Sequence, residues 1–146
     1  MSIDITNNRE KIFNTLKSLN KDAKPVFGKM SPQHVVEHLA MAISLSNGNG
    51  PQKQFTTQEE AETIKGKLIY TDTPLQPGIK NPILGDEPPA LKFPDLQTAI
   101  AQLKKELEDF DTFYATNPNA KMIQPRMGPM DEKEWTILHN KHIRCV

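Results

Sequence analysis

The chain has 146 residues, and its 18 lysines and arginines balance 18 aspartates and glutamates, so no global field attracts nucleic acid or anionic lipid. A single cysteine excludes an internal disulfide, and the polar start MSIDITNNREK lacks an export signal, which predicts a cytoplasmic protein. The longest apolar-rich run, LAMAISL, is far shorter than the roughly 20 residues that cross a bilayer, so we expect one soluble domain over residues 1–146.

Apolar residues recur at helical spacing, and no stretch keeps the two-residue alternation of a strand, so we expect an all-α protein. The first helix should begin at Asn7, with Glu10 as the other half of a capping box, and end near Asn20. The second helix is marked by Ser31 as its N-cap, by Pro32 as its first residue and by glycines after its end.

A third helix should begin at Thr57, where TQEE offers another capping box, and run to about Leu68 or Ile69. Residues 74–94 carry six prolines, which prevent a regular helix and predict a polyproline-like segment docked on the surface. The longest helix is predicted by an apolar stripe at Leu96, Ile100, Leu103, Leu107, Phe110 and Tyr114. The mixed charges of KKELEDFD are expected on the solvated face of that helix.

The last helix should begin after Asp131, which can cap it together with Glu134. Four main helices with apolar stripes, joined by loops of which the longest are rich in proline, predict an antiparallel four-helix bundle. Bundles of this kind place ligand and metal sites in the core, on residues of facing helices.

The four histidines form two pairs, His34 with His38 on the second helix and His139 with His142 on the last. A helical wheel puts His142 within the apolar stripe, with His139 alongside. It puts His38 on the flank of the second-helix stripe and His34 nearer to solvent. A buried imidazole needs a hydrogen-bond partner or a metal, since burial without one costs about 1 to 3 kcal/mol. Because neutral imidazole is a common ligand of zinc and nickel, the pattern predicts a shared site.

A purely structural interpretation of the histidines stays open. His34 would then be a surface residue near a helix N-terminus, and His139 would pair with the carboxylate of Glu134 or Asp131. The two inward-facing histidines would hydrogen-bond each other or a buried hydroxyl.

Two stretches, FGKMSPQHVVEHLAMAISLSNG and GPMDEKEWTILHNKHIRCV, resemble the DinB/YfiT-like superfamily of bacterial four-helix bundles, in a branch of uncharacterised proteins. The resemblance covers most of the chain in the order of its elements. It implies a divalent metal, nickel or zinc, in the bundle core. For active members it implies thiol-dependent transfer or isomerisation, or metal-dependent hydrolysis.

Carried over residue by residue, the resemblance assigns His38 to the second-helix ligand and His142 to the first ligand of the last helix. The next ligand falls at Cys145 or the residue after it, where the family pattern has histidine and this chain ends in CV. A thiolate at Cys145 is the substitute we expect, because a metal lowers the pKa of a thiol. The implied metal ligands are therefore His38, His142 and Cys145, with His34 and His139 as further candidates.

Three hypotheses follow. The first is a metal-dependent transferase or hydrolase that acts on a small molecule. The second is a metal-free bundle with a vestigial site that binds a small ligand or a protein, with a homodimer formed through exposed helix faces. The third is that Cys145 acts alone as a reactive thiol. The sequence itself assigns no catalytic residue.

Overall fold

The computed structural model describes residues 9–17, 32–71 and 90–144. Their elements, in chain order, are α1 (Arg9–Lys17), α2 (Pro32–Ser44), α3 (Gln58–Leu68), α4 (Leu96–Thr116), β1 (Met122–Gln124), β2 (Gly128–Met130) and α5 (Glu132–Arg144). The described chain is mostly helical, as the apolar spacing predicted. Within these ranges no helix is both long and apolar enough to cross a membrane.

The first two helices lie where the sequence predicted them. α2 begins at Pro32, which suits proline because the first N–H of a helix has no partner within the helix. The expected N-cap Ser31 and the expected ends of the first helix, Asn7 and Asn20, lie outside the described residues.

Two of the predicted capping boxes are confirmed. At the start of α3, Thr57 Oγ1 accepts a hydrogen bond from the backbone N–H of Glu60 at 3.1 Å, and the Glu60 carboxylate accepts from the N–H of Thr57 at 2.9 Å. At the start of α5, Asp131 accepts from the N–H of Glu134 at 2.8 Å, and Glu134 accepts from the N–H of Asp131 at 3.0 Å. Each box satisfies two backbone N–H groups at the start of its helix.

The long helix α4 is the centre of the core. It begins after Asp95, whose side chain accepts a hydrogen bond from the N–H of Thr98 at 2.7 Å. Its predicted stripe is buried along the whole length, with 6% or less of each residue exposed: Leu96, Ile100, Leu103, Leu107, Phe110 and Tyr114. α2 packs along α4, α1 packs on another part of α4, and α5 packs on α2. This arrangement places α2 and α5 next to each other.

A short β-hairpin between α4 and α5 corrects the expectation that the chain contains no strand. β1 and β2 pair antiparallel, with Met122 opposite Met130 and Gln124 opposite Gly128. Gly128 has a φ of 71°, a backbone conformation that residues with a Cβ atom rarely adopt. The indole N–H of Trp135 on α5 donates to the carbonyl of Met122 at 3.2 Å, so the hairpin is joined to the last helix.

The burial of Glu106 corrects the prediction that the charged residues of KKELEDFD lie on the solvated face of α4. Only 7% of this residue is exposed. Its Oε1 accepts hydrogen bonds from the side-chain amides of Asn47 at 3.0 Å and Asn49 at 2.8 Å, and its Oε2 accepts from Gln102 at 3.0 Å. The carboxylate therefore joins the turn after α2 to the middle of α4, which explains why it is buried.

Polar contacts attach α3 and the residues after it to α5. Glu134 on α5 accepts a hydrogen bond from the Tyr70 hydroxyl and lies 3.5 Å from the ammonium of Lys65. The Lys141 ammonium donates to the carbonyl of Leu68 at the end of α3, where a cation also suits the helix dipole. The C-terminal half of α5 is thus held beside α3 as well as against α2.

Candidate functional site

The structure brings together the two histidines that the sequence assigned to the centre of the site. His38 comes from the middle of α2 and His142 from the last turn of α5. Their ring centres are 5.7 Å apart, and the two planes meet at 86°, so one imidazole points its edge at the face of the other. Each helix therefore contributes one imidazole to the contact between α2 and α5.

Both rings have a buried nitrogen without a hydrogen-bond partner. Nδ1 of His38 and Nδ1 of His142 are buried, and neither finds a partner within the described ranges. Desolvation, and secondarily the neighbouring His38, lowers the pKa of His142 to about 3. Desolvation also lowers the pKa of His38. Both imidazoles are therefore neutral near pH 7, the form that binds metals.

The spacing of the rings fits a shared four-coordinate ion. A Zn–N bond of about 2.1 Å, added to about 1.1 Å from nitrogen to ring centre, puts the centres of two tetrahedral imidazole ligands about 5.2 Å apart. The observed separation of His38 and His142 is 5.7 Å. From the edge-to-face arrangement, at least one ring would have to turn for both Nδ1 lone pairs to point at one ion.

The described residues do not complete a metal shell. Cys145, the expected third ligand, lies outside them. Within 9–17, 32–71 and 90–144, no group of three or more histidine, cysteine, aspartate or glutamate side chains is arranged to hold an ion. An open catalytic zinc site usually keeps three protein ligands, of which the pair supplies two.

His139 is buried more deeply than the wheel indicated, with 1% exposed. Its partner is the hydroxyl of Ser46, 2.8 Å from Nε2, and this corrects the alternative in which an acidic side chain near the start of α5 would pair with it. The ring lies between Phe110 and Trp135, with centres 5.5 Å and 5.4 Å away. Desolvation, and secondarily His142, lowers its pKa to about 3, so His139 is neutral as well.

Sequence reasoning missed the role of Glu37, the residue before His38. Its carboxylate accepts the backbone N–H of Lys92 at 2.7 Å and that of Phe93 at 3.3 Å, while Gln33 donates to the carbonyl of Phe93 at 2.8 Å. Phe93 in turn packs against the core. The end of the proline-rich segment is therefore docked on α2 beside the site, as predicted for that segment, whose residues 74–89 lie outside the described ranges.

Two neutral nitrogen ligands in an apolar setting favour a borderline or soft divalent ion over calcium or magnesium, which prefer oxygen. Neutral ligands do not offset the charge of the ion, so a thiolate or another anion would complete the site well.

Comparisons with protein-family models, with curated proteins and with solved structures find no match to this chain. What can be inferred about function therefore comes from the geometry of the histidine pair.

Proposed function

We propose that this protein binds a divalent transition-metal ion, nickel or zinc, and that His38 and His142 are two of its ligands. The observation that carries the proposal is that two facing rings each bury an Nδ1 atom with no hydrogen-bond partner in the described parts of the chain. Each such atom costs about 1 to 3 kcal/mol when it is left unpaired. A shared ion would satisfy a lone pair on each ring at once.

The proposed fold is an antiparallel four-helix bundle of the DinB/YfiT-like kind. In support, four helices contribute buried apolar residues to one core, for example Ile12 of α1, Val36 of α2, Leu103 of α4 and Leu138 of α5. α3 packs Ile64 and Leu68 against the same core, and polar contacts join it to α5 as described above. The ion would lie where α2 and α5 meet, inside the bundle.

The proposed activity is thiol transfer or hydrolysis of a small electrophile. A divalent ion held by His38 and His142 would supply Lewis acidity that lowers the pKa of a thiol or a water. The two histidines hold and orient the site, and their burial keeps a proton from competing for the nitrogen lone pairs. We propose Cys145 as the third ligand, because a thiolate would supply the negative charge that the imidazoles lack.

Elemental analysis of the protein purified without a histidine tag tests the proposal. We expect about one nickel or zinc ion per chain, lost in His38→Ala and in His142→Ala. His34→Ala is the matched control, because His34 lies one turn from His38 on the same helix and should leave the metal content unchanged. Metal retained in both core variants, or no metal in the wild type after nickel and zinc are added, would overturn the proposal.

The role of Cys145 has its own measurement. If the thiol is a ligand, iodoacetamide should alkylate it rapidly in EDTA and slowly after nickel is added, because the metal occupies the sulfur. Cys145→Ser should weaken nickel binding without abolishing it, since the two histidines remain. Equal alkylation rates with and without nickel would remove Cys145 from the ligand set.

A metal-free binding bundle is the second candidate, because a small polar ligand that hydrogen-bonds both buried Nδ1 atoms would satisfy them as an ion would. Alternatively, the bundle would bind a protein or a second copy of itself. This candidate predicts a wild type that takes up no metal. Light scattering with and without His142→Ala would then ask whether the chain forms a homodimer that depends on the pair.

A further inference from the structure

We propose that Ser46 and His139 are positioning residues that fix where His142 meets His38. The proposal rests on the proposed function for its metal-binding readout, but its structural readout does not require a metal. No covalent chemistry is assigned to either residue. Their role is to hold α5 against the end of α2 in one orientation.

The two residues connect the same elements as the histidine pair. Ser46 lies in the turn directly after α2, and His139 lies one turn before His142 on α5. Both are fully buried, with 0% of Ser46 and 1% of His139 exposed, and the Oγ to Nε2 distance is 2.8 Å. One contact between two helices leaves them free to pivot about it, whereas two contacts at different heights remove that freedom.

The Ser46 hydroxyl lies close to two partners. Its Oγ is 2.7 Å from the carbonyl of Ile43 and 2.8 Å from Nε2 of His139. With its single proton on the Ile43 side, the oxygen accepts from His139, which places the imidazole proton on Nε2 and the lone pair on Nδ1. With that proton on the His139 side, the hydroxyl donates to Nε2, and the same contact still joins the turn after α2 to α5.

Packing against aromatic rings sets the plane of the His139 imidazole, and the hydrogen bond to Ser46 holds the ring in one position. The imidazole lies between Phe110 on α4 and Trp135 on α5, so its plane is set by the two aromatic neighbours. Its Nδ1 is buried and has no partner in the described chain. An apolar side chain would fill the same space without that unpaired nitrogen, and what the imidazole adds is the bond to Ser46.

Four variants separate the hydrogen bond from packing. Ser46→Ala removes the hydroxyl and His139→Leu removes the ring nitrogen. His139→Gln keeps an amide, which can donate or accept, near the position of Nε2 and should rescue the bond. Ser44→Ala is the matched control, because Ser44 Oγ makes the same kind of local bond, to the carbonyl of Met41 at 2.6 Å, and is not bonded to α5 within the described residues.

The structural readout is the nuclear Overhauser effect between the ring protons of His38 and His142, measured in EDTA. We expect it in the wild type, Ser44→Ala and His139→Gln, and we expect it to be lost in Ser46→Ala and His139→Leu. Cobalt affinity should fall about 10-fold or more in the same two variants, as it does when second-sphere partners are removed elsewhere. An unchanged Overhauser effect in a folded Ser46→Ala protein overturns the proposal.

Two further outcomes keep the proposals distinguishable. A wild type with the Overhauser effect but without cobalt binding would reject the proposed function and support the positioning role. Long-range 1H–15N correlation of the wild-type imidazoles needs no variant to fold and should show one fixed His139 tautomer, because Nε2 is held by Ser46. A mixture of both tautomers in the folded wild type overturns the positioning role, whatever the metal result.

Discussion

His142 meets His38 edge to face, with 5.7 Å between ring centres. Such a contact suits two neutral imidazoles, whereas two protonated rings at this distance would repel each other in a setting that screens charge poorly. Because His142 and His38 both have pKa values lowered by burial, the contact is kept in the neutral form over the physiological range. Protonation of the pair should therefore weaken the fold and compete with metal.

Stability should fall in mild acid. Burial lowers the pKa values of His139 and His142 to about 3 from 6.5, so between these values the unfolded chain binds protons that the folded chain does not. The free energy of unfolding is then highest above pH 6.5 and decreases toward acid, by about 1.4 kcal/mol per pH unit for each proton. Urea unfolding in EDTA between about pH 7.5 and about pH 5.5 measures the slope.

Two variants test which residue causes this pH dependence. His139→Gln removes one buried titrating ring and should flatten the profile by about one proton, whereas Ser44→Ala, which removes no titrating group, should leave the slope unchanged. A free energy of unfolding that does not vary with pH over this range would show that the buried rings gain protons without cost.

Local sequence signals predicted much of the fold. The stripe of α4 and the capping boxes at Thr57 and Asp131 depend on residues three or four apart, so spacing alone reveals them. The hairpin was missed because each strand has three residues, too few for alternation to appear. Glu106 was missed because its burial depends on two asparagines that the turn after α2 brings to it from a distant part of the sequence.

The candidate site likewise has a part that the sequence predicted and a part that it did not. The paired spacing of the histidines, together with the apolar stripe around His142, was enough to predict that the rings of His38 and His142 come close together. The partner of His139 could not be predicted, because Ser46 is 93 residues away and lies beyond the end of its helix. The docking of Lys92 on Glu37 likewise joins residues far apart in sequence, which no helical period encodes.

Replacing Glu106 with glutamine should destabilise the protein although the side chain keeps its shape. Glu106 receives amide hydrogen bonds at both carboxylate oxygens, and the new amide nitrogen would face a donor where an acceptor is needed. We expect a loss of about 1 to 3 kcal/mol in the free energy of unfolding. Glu108→Gln, on the exposed side of the same helix, should change it by less than about 0.5 kcal/mol. Equal effects of the two changes would mean that the network contributes nothing.

The two tyrosines should respond in opposite directions to loss of the hydroxyl. The Tyr114 hydroxyl is buried and has no partner among the described residues, so Tyr114→Phe should be neutral or stabilise by up to about 1 kcal/mol. The Tyr70 hydroxyl donates to Glu134, a bond that raises the pKa of Tyr70 to about 12. Because 66% of Tyr70 is exposed, Tyr70→Phe should cost only about 0.5 to 1 kcal/mol. Urea unfolding of both variants gives the comparison, and a destabilised Tyr114→Phe would reveal a partner for that hydroxyl.

Gly66 and Gly48 should also differ when each is changed to alanine. Gly66 lies inside α3, and a Cβ there would meet no atom within 4 Å, so Gly66→Ala should stabilise the helix by about 0.5 to 1 kcal/mol. Gly48 has a φ of 88°, and a Cβ there would lie 3.3 Å from the ring of Phe113, so Gly48→Ala should destabilise by more than about 1 kcal/mol. Because Gly66 lies within α3, the gain should appear most clearly as slower amide hydrogen exchange in that helix. Equal slowing in α3 and α4 would show instead that the two helices unfold as one unit.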